Sequence, residues 1–385
     1  MVTFVNLAPG DTAPWFVARS STNPRYAFDT VAGRYVVLCF FASSTDAHSR
    51  AALAAMRERA DVFDDTTAAF FGISLDPCDE IEHRLADRYP GYRYLFDPDG
   101  TASRLYGAVA TDADFARSEV RVRRLWVVLD PQLRVLRVVP FAADCRDIAE
   151  INATLDALPP VPGSGVEAWA PVLLLPNVFE PDFCRRLVDL FESDGGSDSG
   201  FMRDSTEKTV GVLDHSFKRR RDCAIGDPQI VKDTQVCIRR RIAPQVLRAY
   251  QFEATRMERY LIACYAAEDN GHFRPHRDNT TRATAHRRFA VSINLNDDYE
   301  GGEIGFPEYG PRTYRPPLGG ALVFSCSLLH SVEPMTRGKR YAFLPFLYDE
   351  AAARIRAENH GFLEKRDAKR DAPERKPKAP AKAKA

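Results

Sequence analysis

The sequence predicts two folded units in series: an α/β layered sheet, then a β-sandwich or jelly roll with supporting helices. Three observations predict it. The chain has 385 residues, about two to three times a typical domain of roughly 150. Short strand-like runs alternate with helical patterns in the first part, whereas short strands dominate the end of the second. Between the parts lies LPPVPGSGV, residues 158–166, with the Pro, Gly and Ser of a linker. The expected division is a first domain at 1–158, a linker at 159–166, a second domain at 167–350, and a helix end with a tail at 351–385.

In order along the chain, RYVVLCFF, AAFFGISL, VRRLWVVL and RVLRVVPF read as strands, being short, apolar and bounded by polar or Gly/Pro residues. Apolar positions at helical spacing predict helices over 45–62, 79–89 and 144–158. Beyond the linker, VLLLPNVFEPDFCRRLVDLFE gives a strand and an acid-capped helix, and a long helical pattern runs over 228–263. FAVSINLN then alternates, with Phe289, Val291, Ile293 and Leu295 on one face and Ala290, Ser292 and Asn294 on the other. GGEIGF, GALVFS and RYAFLPF follow as further strands between Gly/Pro turns.

Composition narrows the function classes. Hydrophobic residues at 45% and charged residues at 28% are those of a globular chain. The balance of 53 basic and 53 acidic residues argues against a protein whose main business is coating nucleic acid or membrane. Residues 1–160 contain no lysine, whereas the end, EKRDAKRDAPERKPKAPAKAKA, is rich in Lys, Ala and Pro and reads as a solvated disordered tail. Eight cysteines with no C-x-x-C pair exclude a disulfide framework or zinc knuckle. With neither a leader pattern nor a long apolar run, the expected location is cytoplasmic.

The chemistry concentrates late in the chain. In His276-Arg277-Asp278, a His and an Asp one residue apart share a face if the segment is extended. His330, at the end of GGALVFSCSLLH, is the third candidate ligand, and Arg340 follows after the turn PMTRGK. Two His and one carboxylate leave three positions open on an iron ion, as oxygen plus a chelating cosubstrate require. An inward Arg on the next strand suits one carboxylate of a diacid such as 2-oxoglutarate. His272, His286, His215, His48, His83 and His360 read as structural or solvated. The Arg runs 218–221 and 239–241 read as solvated faces or ion-pair networks, with a basic rim for an acidic substrate as the alternative.

Three segments in order, ACYAAEDNGHFRPHRDN, SINLNDDYEGGEIGFPEYG and GALVFSCSLLHSVEPMTRGKRYAF, resemble the prolyl 4-hydroxylase branch of Fe(II)/2-oxoglutarate dioxygenases. The resemblance implies a double-stranded β-helix with His276, Asp278 and His330 as iron ligands and Arg340 on the distal carboxylate of 2-oxoglutarate. Tyr265 and Asn294 match positions that face the cosubstrate in relatives. Asn294 stands where some relatives carry tyrosine, and Ala342 lacks a hydroxyl found in some branches. Hydroxylation of a C–H bond coupled to decarboxylation of 2-oxoglutarate to succinate is implied, with O2 consumed and L-ascorbate as accessory reductant. A protein or peptide substrate is favoured, with a prolyl residue as one candidate target and a small molecule left open.

The segments APGDTAPWF, VVLCFFASSTDAHSRAAL, FFGISLDPCDEIEHRLADRY, YLFDPDGTASRLYGA and RRLWVVLDPQLRV resemble, in order, the peroxiredoxin group of thioredoxin-like proteins. One register puts Ser49 at the peroxidatic cysteine and Asp46 at a threonine; another puts Thr45 and His48 at a C-x-x-C pair. Neither supplies sulfur, and serine cannot replace a thiolate in attack on peroxide. Arg124 matches the family arginine with no thiolate to serve. Cys39 is expected within a strand and Cys78 at a loop or helix start. The domain is expected to be silent as a peroxidase and to serve substrate capture, homodimerisation or docking. Two rivals remain: a non-enzymatic iron or oxygen sensor, and a peroxidase working through Cys78.

Overall fold

A computed structural model describes residues 3–115, 120–161, 169–205 and 208–362. Most of the linker and the tail beyond 362 lie outside the described residues.

The four expected strands of the first part form at Tyr35–Phe41, Ala68–Ser74, Leu125–Leu129 and Val135–Pro140. They join Tyr92–Phe96, Val17–Ser20 and Tyr26–Ala27 in one seven-stranded sheet. Tyr35–Phe41 and Ala68–Ser74 are buried at every position, which explains their continuous apolar runs: layers cover both faces. Val36, Leu38 and Phe40 face a core with Phe16, Phe28 and Tyr106, while Val37, Cys39 and Phe41 face one with Trp126 and Ile151. Helices Ala47–Arg57 and Arg146–Asp156 fall where expected.

The helix expected over 79–89 is corrected. Only Pro77–Ile81 is helical, because Ile81 is 72% exposed and His83 adopts φ +51, leaving no continuous apolar stripe for a longer helix. The pattern over 228–263 is likewise divided. Helices Pro228–Arg241 and Ala243–Tyr250 end at Gln251, which has left-handed φ, and Arg256–Glu258 and Leu261–Ala266 are strands. LIACYA pairs on both sides, with Arg221–Ala224 and Lys339–Phe343, so ladder hydrogen bonds override its helical spacing.

The second part is a larger sheet facing a smaller one. The larger contains Phe289–Asn294, Lys339–Phe343 and Leu261–Ala266; the smaller contains Lys218–Arg219, His272–His276, His330–Val332, Ile304–Gly305 and Thr313–Tyr314. Phe289, Val291 and Ile293 pack with Phe183, Leu187 and Ile238 of the covering helices, each such side chain contributing about 1.5–3 kcal/mol on burial. The alternation read from FAVSINLN holds, and Ala290 and Ser292 face a chamber between the two sheets. This is the jelly-roll arrangement of a double-stranded β-helix, with its mouth toward the first domain.

Candidate metal centre and the chamber behind it

His276 ends one strand of the smaller sheet and His330 begins its neighbour, and the two are direct register partners. Asp278 follows His276, held by its own N–H donating to Cys326 O at 3.0 Å. Ligand atoms of the three all lie within 4.8 Å of one another. Each imidazole is oriented by a carbonyl: His276 Nδ1 donates to Arg274 O at 2.8 Å and His330 Nδ1 to Leu328 O at 3.0 Å. A carbonyl only accepts, so Nδ1 of each ring carries a proton, and Nε2 is the nitrogen left to offer a lone pair to a metal. Those lone pairs point at an anion, His276 Nε2 at 3.7 Å from Asp278 Oδ1 and His330 Nε2 at 3.4 Å from Oδ2. Burial, with His330 beside it, pushes the His276 pKa well below its usual value. Burial opposes ionisation of Asp278, yet the neighbouring His330 and His276 prevail and its pKa is lowered. Acceptors converging on a carboxylate need a cation between them, and two imidazoles with one carboxylate suit iron(II).

Arg340 lies across the chamber on the larger sheet, paired with Tyr265. It is 2% exposed, and no carboxylate lies within 4.0 Å of it among the described residues. Its fork is held by neutral groups: Nε donates to Asn294 Oδ1 at 3.1 Å and Nη2 to Ser292 Oγ at 2.8 Å. Tyr265, 1% exposed, sets its ring 5.7 Å from the guanidinium. Asn294 does not line the chamber. Its amide nitrogen is spent on Tyr299 Oη and Pro316 O, both at 2.7 Å, so it stands behind Arg340 as a support. Ala342 is fully buried.

Two chamber residues were hidden in the sequence. Within 218–221, Lys218 and Arg220 are buried and line the chamber, while Arg219 and Arg221 lie on the outer side. The run is therefore no uniformly solvated face. The ion-pair half of the expectation holds, since Arg220 forks onto Asp222 at 2.7 Å through both Nε and Nη2. Period-two alternation was the signal that would have found them. Burial, with Arg220 nearby, takes the Lys218 pKa well below its usual value.

The first domain's counterpart site is closed on itself. Ser49 is fully buried at the start of its helix, and its N–H and Oγ both donate to Asp46 Oδ2, at 3.1 and 3.0 Å. Arg124 donates to the same oxygen. His48 pairs with buried Asp147 at 3.0 Å, which also accepts from Trp126 Nε1 at 2.8 Å, and Thr45 bonds Ser43. Cys39 is fully buried, and burial pushes its pKa well up. Burial, Asp76 and Glu82 raise that of Cys78, so neither thiol is activated. All eight cysteines are free. Among the described residues no helix is long and apolar enough to cross a membrane.

Comparison with known proteins agrees with this geometry. Residues 260–348 match the 2OG-Fe(II) oxygenase superfamily, and residues 9–137 match the AhpC/TSA family. A PKHD-type hydroxylase of Synechococcus sp. (strain JA-2-3B'a(2-13)) is 34% identical over 89 residues, 21% of this chain and 39% of that protein. The chain thus spans well under half the length of that relative. Among solved structures, a prolyl hydroxylase in complex with a hypoxia inducible factor peptide fragment, from Trichoplax adhaerens, is 18% identical with a TM-score of 0.39, covering 49% of this chain and 86% of that one. A peroxidoxin from Mycobacterium tuberculosis is 23% identical with a TM-score of 0.33, covering 40% and 98%. The chain thus carries, in order, a segment similar to the AhpC/TSA family and a segment similar to the 2OG-Fe(II) oxygenase superfamily.

Proposed function

We propose that the protein is an iron(II)- and 2-oxoglutarate-dependent hydroxylase acting on a peptidyl residue, with a first domain silent as a peroxidase. The observation that carries this reading is one chamber holding both a convergent His276–Asp278–His330 set and a buried arginine with no carboxylate partner among the described residues. Iron(II) and 2-oxoglutarate held there would activate O2, oxidative decarboxylation of 2-oxoglutarate to succinate and CO2 giving two electrons, so that one oxygen atom enters a C–H bond and the other succinate.

The chain's own residues do the rest. His276 and His330 commit their Nδ1 protons to carbonyls, which leaves Nε2 of each ring as the nitrogen that would hold the metal. Asp278 supplies negative charge on the third side. Arg340, its fork set by Ser292 and Asn294, receives the distal carboxylate with little reorganisation. Phe324, Val332 and Ile304 line the chamber and exclude water. L-Ascorbate as an accessory reductant and a cytoplasmic setting belong to the same reading.

The substrate route follows from a second space. His276 and Asp278 also line a cleft of 860 Å³ whose walls include Trp15 and Tyr26 of the first domain and Phe201 and Phe217 of the second. That volume, at the upper end of small-molecule sites, favours a peptide segment over a free amino acid. The test is incubation of a panel of prolyl-containing peptides with protein, Fe(II), 2-oxoglutarate and air. A mass gain of one oxygen atom that requires 2-oxoglutarate supports the reading; modification of free amino acids alone contradicts the peptidyl assignment.

A further inference from the structure

Each metal-ligand segment carries one residue that turns away from the chamber and into the other domain. Arg277 stands between His276 and Asp278, and its side chain is 1% exposed. It donates through Nε to Asp29 Oδ2 at 3.1 Å and through Nη2 to Asp29 O at 3.3 Å. It also forks onto Glu308, at 3.2 and 2.8 Å, and donates to Ser327 O. The ring of Trp15 lies 4.2 Å from its guanidinium. Asp29 and Trp15 belong to the first domain, Glu308 and Ser327 to the second.

Leu329, the residue before His330, is fully buried and belongs to the first domain's core cluster with Phe16 and Phe28. The two anchors are joined, because Glu308 also accepts from Leu329 N–H at 2.9 Å. Beside this junction the domains touch without clearance: a Cβ added at Gly33, which has φ +97, would come 2.8 Å from Pro307 Cβ. His276, Asp278 and His330 line the chamber, while Arg277 between the first two and Leu329 before the third are held outside it by the first domain.

We infer that the first domain is a positioning element of the metal centre: Asp29 and the Phe16/Phe28 core fix Arg277 and Leu329, and through them the three metal ligands. This rests on the metal-site reading above. It gives a domain without its own chemistry a role inside the oxygenase site, since loosening residues that orient metal ligands lowers metal affinity by about tenfold or more.

The test is Mn(II) affinity of the full chain, followed by the loss of the free-ion EPR signal. Asp29→Asn keeps the volume and removes the charge, and Leu329→Ala loosens the other anchor. Ile151→Ala is the control, a cavity in the core on the opposite face of the first domain's sheet. Asp29→Asn and Leu329→Ala should each raise the Mn(II) Kd about tenfold, while Ile151→Ala lowers the melting temperature and leaves Kd within twofold. Unchanged Kd in both anchor variants would overturn the inference, as would equal weakening in Ile151→Ala. Absence of Mn(II) binding by the unaltered chain would bring down the hydroxylase reading and this inference together; binding that ignores both anchor substitutions brings down the inference alone.

Discussion

Each domain holds an arginine in its candidate site, and the two domains treat it in opposite ways. Arg124 of the first domain is neutralised from within by Asp46, the pair being about one-third exposed. Arg340 of the second is buried and, among the described residues, donates to the neutral oxygens of Asn294 and Ser292. A buried cation supported by neutral dipoles alone is costly, and an arriving anion repays it. A site closed by its own charges, by contrast, has nothing left to offer a ligand. Retention or loss of chemistry is thus legible in whether the charges of a site are already balanced by the chain.

The sharpest way to break this comparison is to remove Arg340. Arg340→Ala should raise the Kd for 2-oxoglutarate about a hundredfold, the upper range for hydrogen bonds to a charged group, with Mn(II) binding retained; calorimetry on Mn(II)-loaded protein reads both. Unchanged affinity would place the carboxylate elsewhere.

Of comparable size is the support beneath Asp278. Burial opposes ionisation of Glu258, but His286 and Arg287 outweigh it and hold its carboxyl at about 2, and Arg287 in turn reaches Asp278 O at 3.4 Å. A depressed carboxyl contributes stability that is fully present above its unfolded value, near 4.5, and is lost as pH falls through about 2. Glu258→Gln should therefore cost about 3 kcal/mol at pH 7, with the gap to the unaltered protein narrowing between pH 4.5 and 2. Urea unfolding across that range measures it, and a gap independent of pH would contradict the assignment.

The closed site can be reopened on paper. Ser49→Cys alone should leave peroxide consumption at background, because Asp46 beside the new thiol opposes the thiolate. Adding Asp46→Thr frees Arg124 to favour the thiolate, and peroxide consumption should rise at least about tenfold over either single variant. Full activity in Ser49→Cys would show that the pair closes nothing. The smallest effect belongs to Arg124→Ala: a partly exposed pair is worth about 0–1 kcal/mol, so the unfolding free energy should shift by no more than that and 2-oxoglutarate affinity should not move.

The sequence pointed to the cluster that the structure brings together, His276, Asp278 and His330, through the one-residue spacing of the first two and the apolar run that leads to the third. Arg340 was pointed to by its place on the strand that follows. Lys218 and Arg220 were not, because a run of four basic residues conceals its alternation until the partner strand is known. Arg277 and Leu329 were beyond sequence reading, as their significance lies in contacts with residues some 250 to 300 positions away in the first domain. Helical spacing misled where tertiary pairing won, in LIACYA, and where the stripe faced water, at Ile81.

The central claim is tested most directly by succinate formation from 2-oxoglutarate under air, using anaerobically purified, Fe(II)-loaded protein with prolyl-containing peptide present, beside a His276→Ala variant. The account predicts succinate that requires iron and disappears in the variant while its fold persists. Succinate formation of equal size in His276→Ala would contradict it.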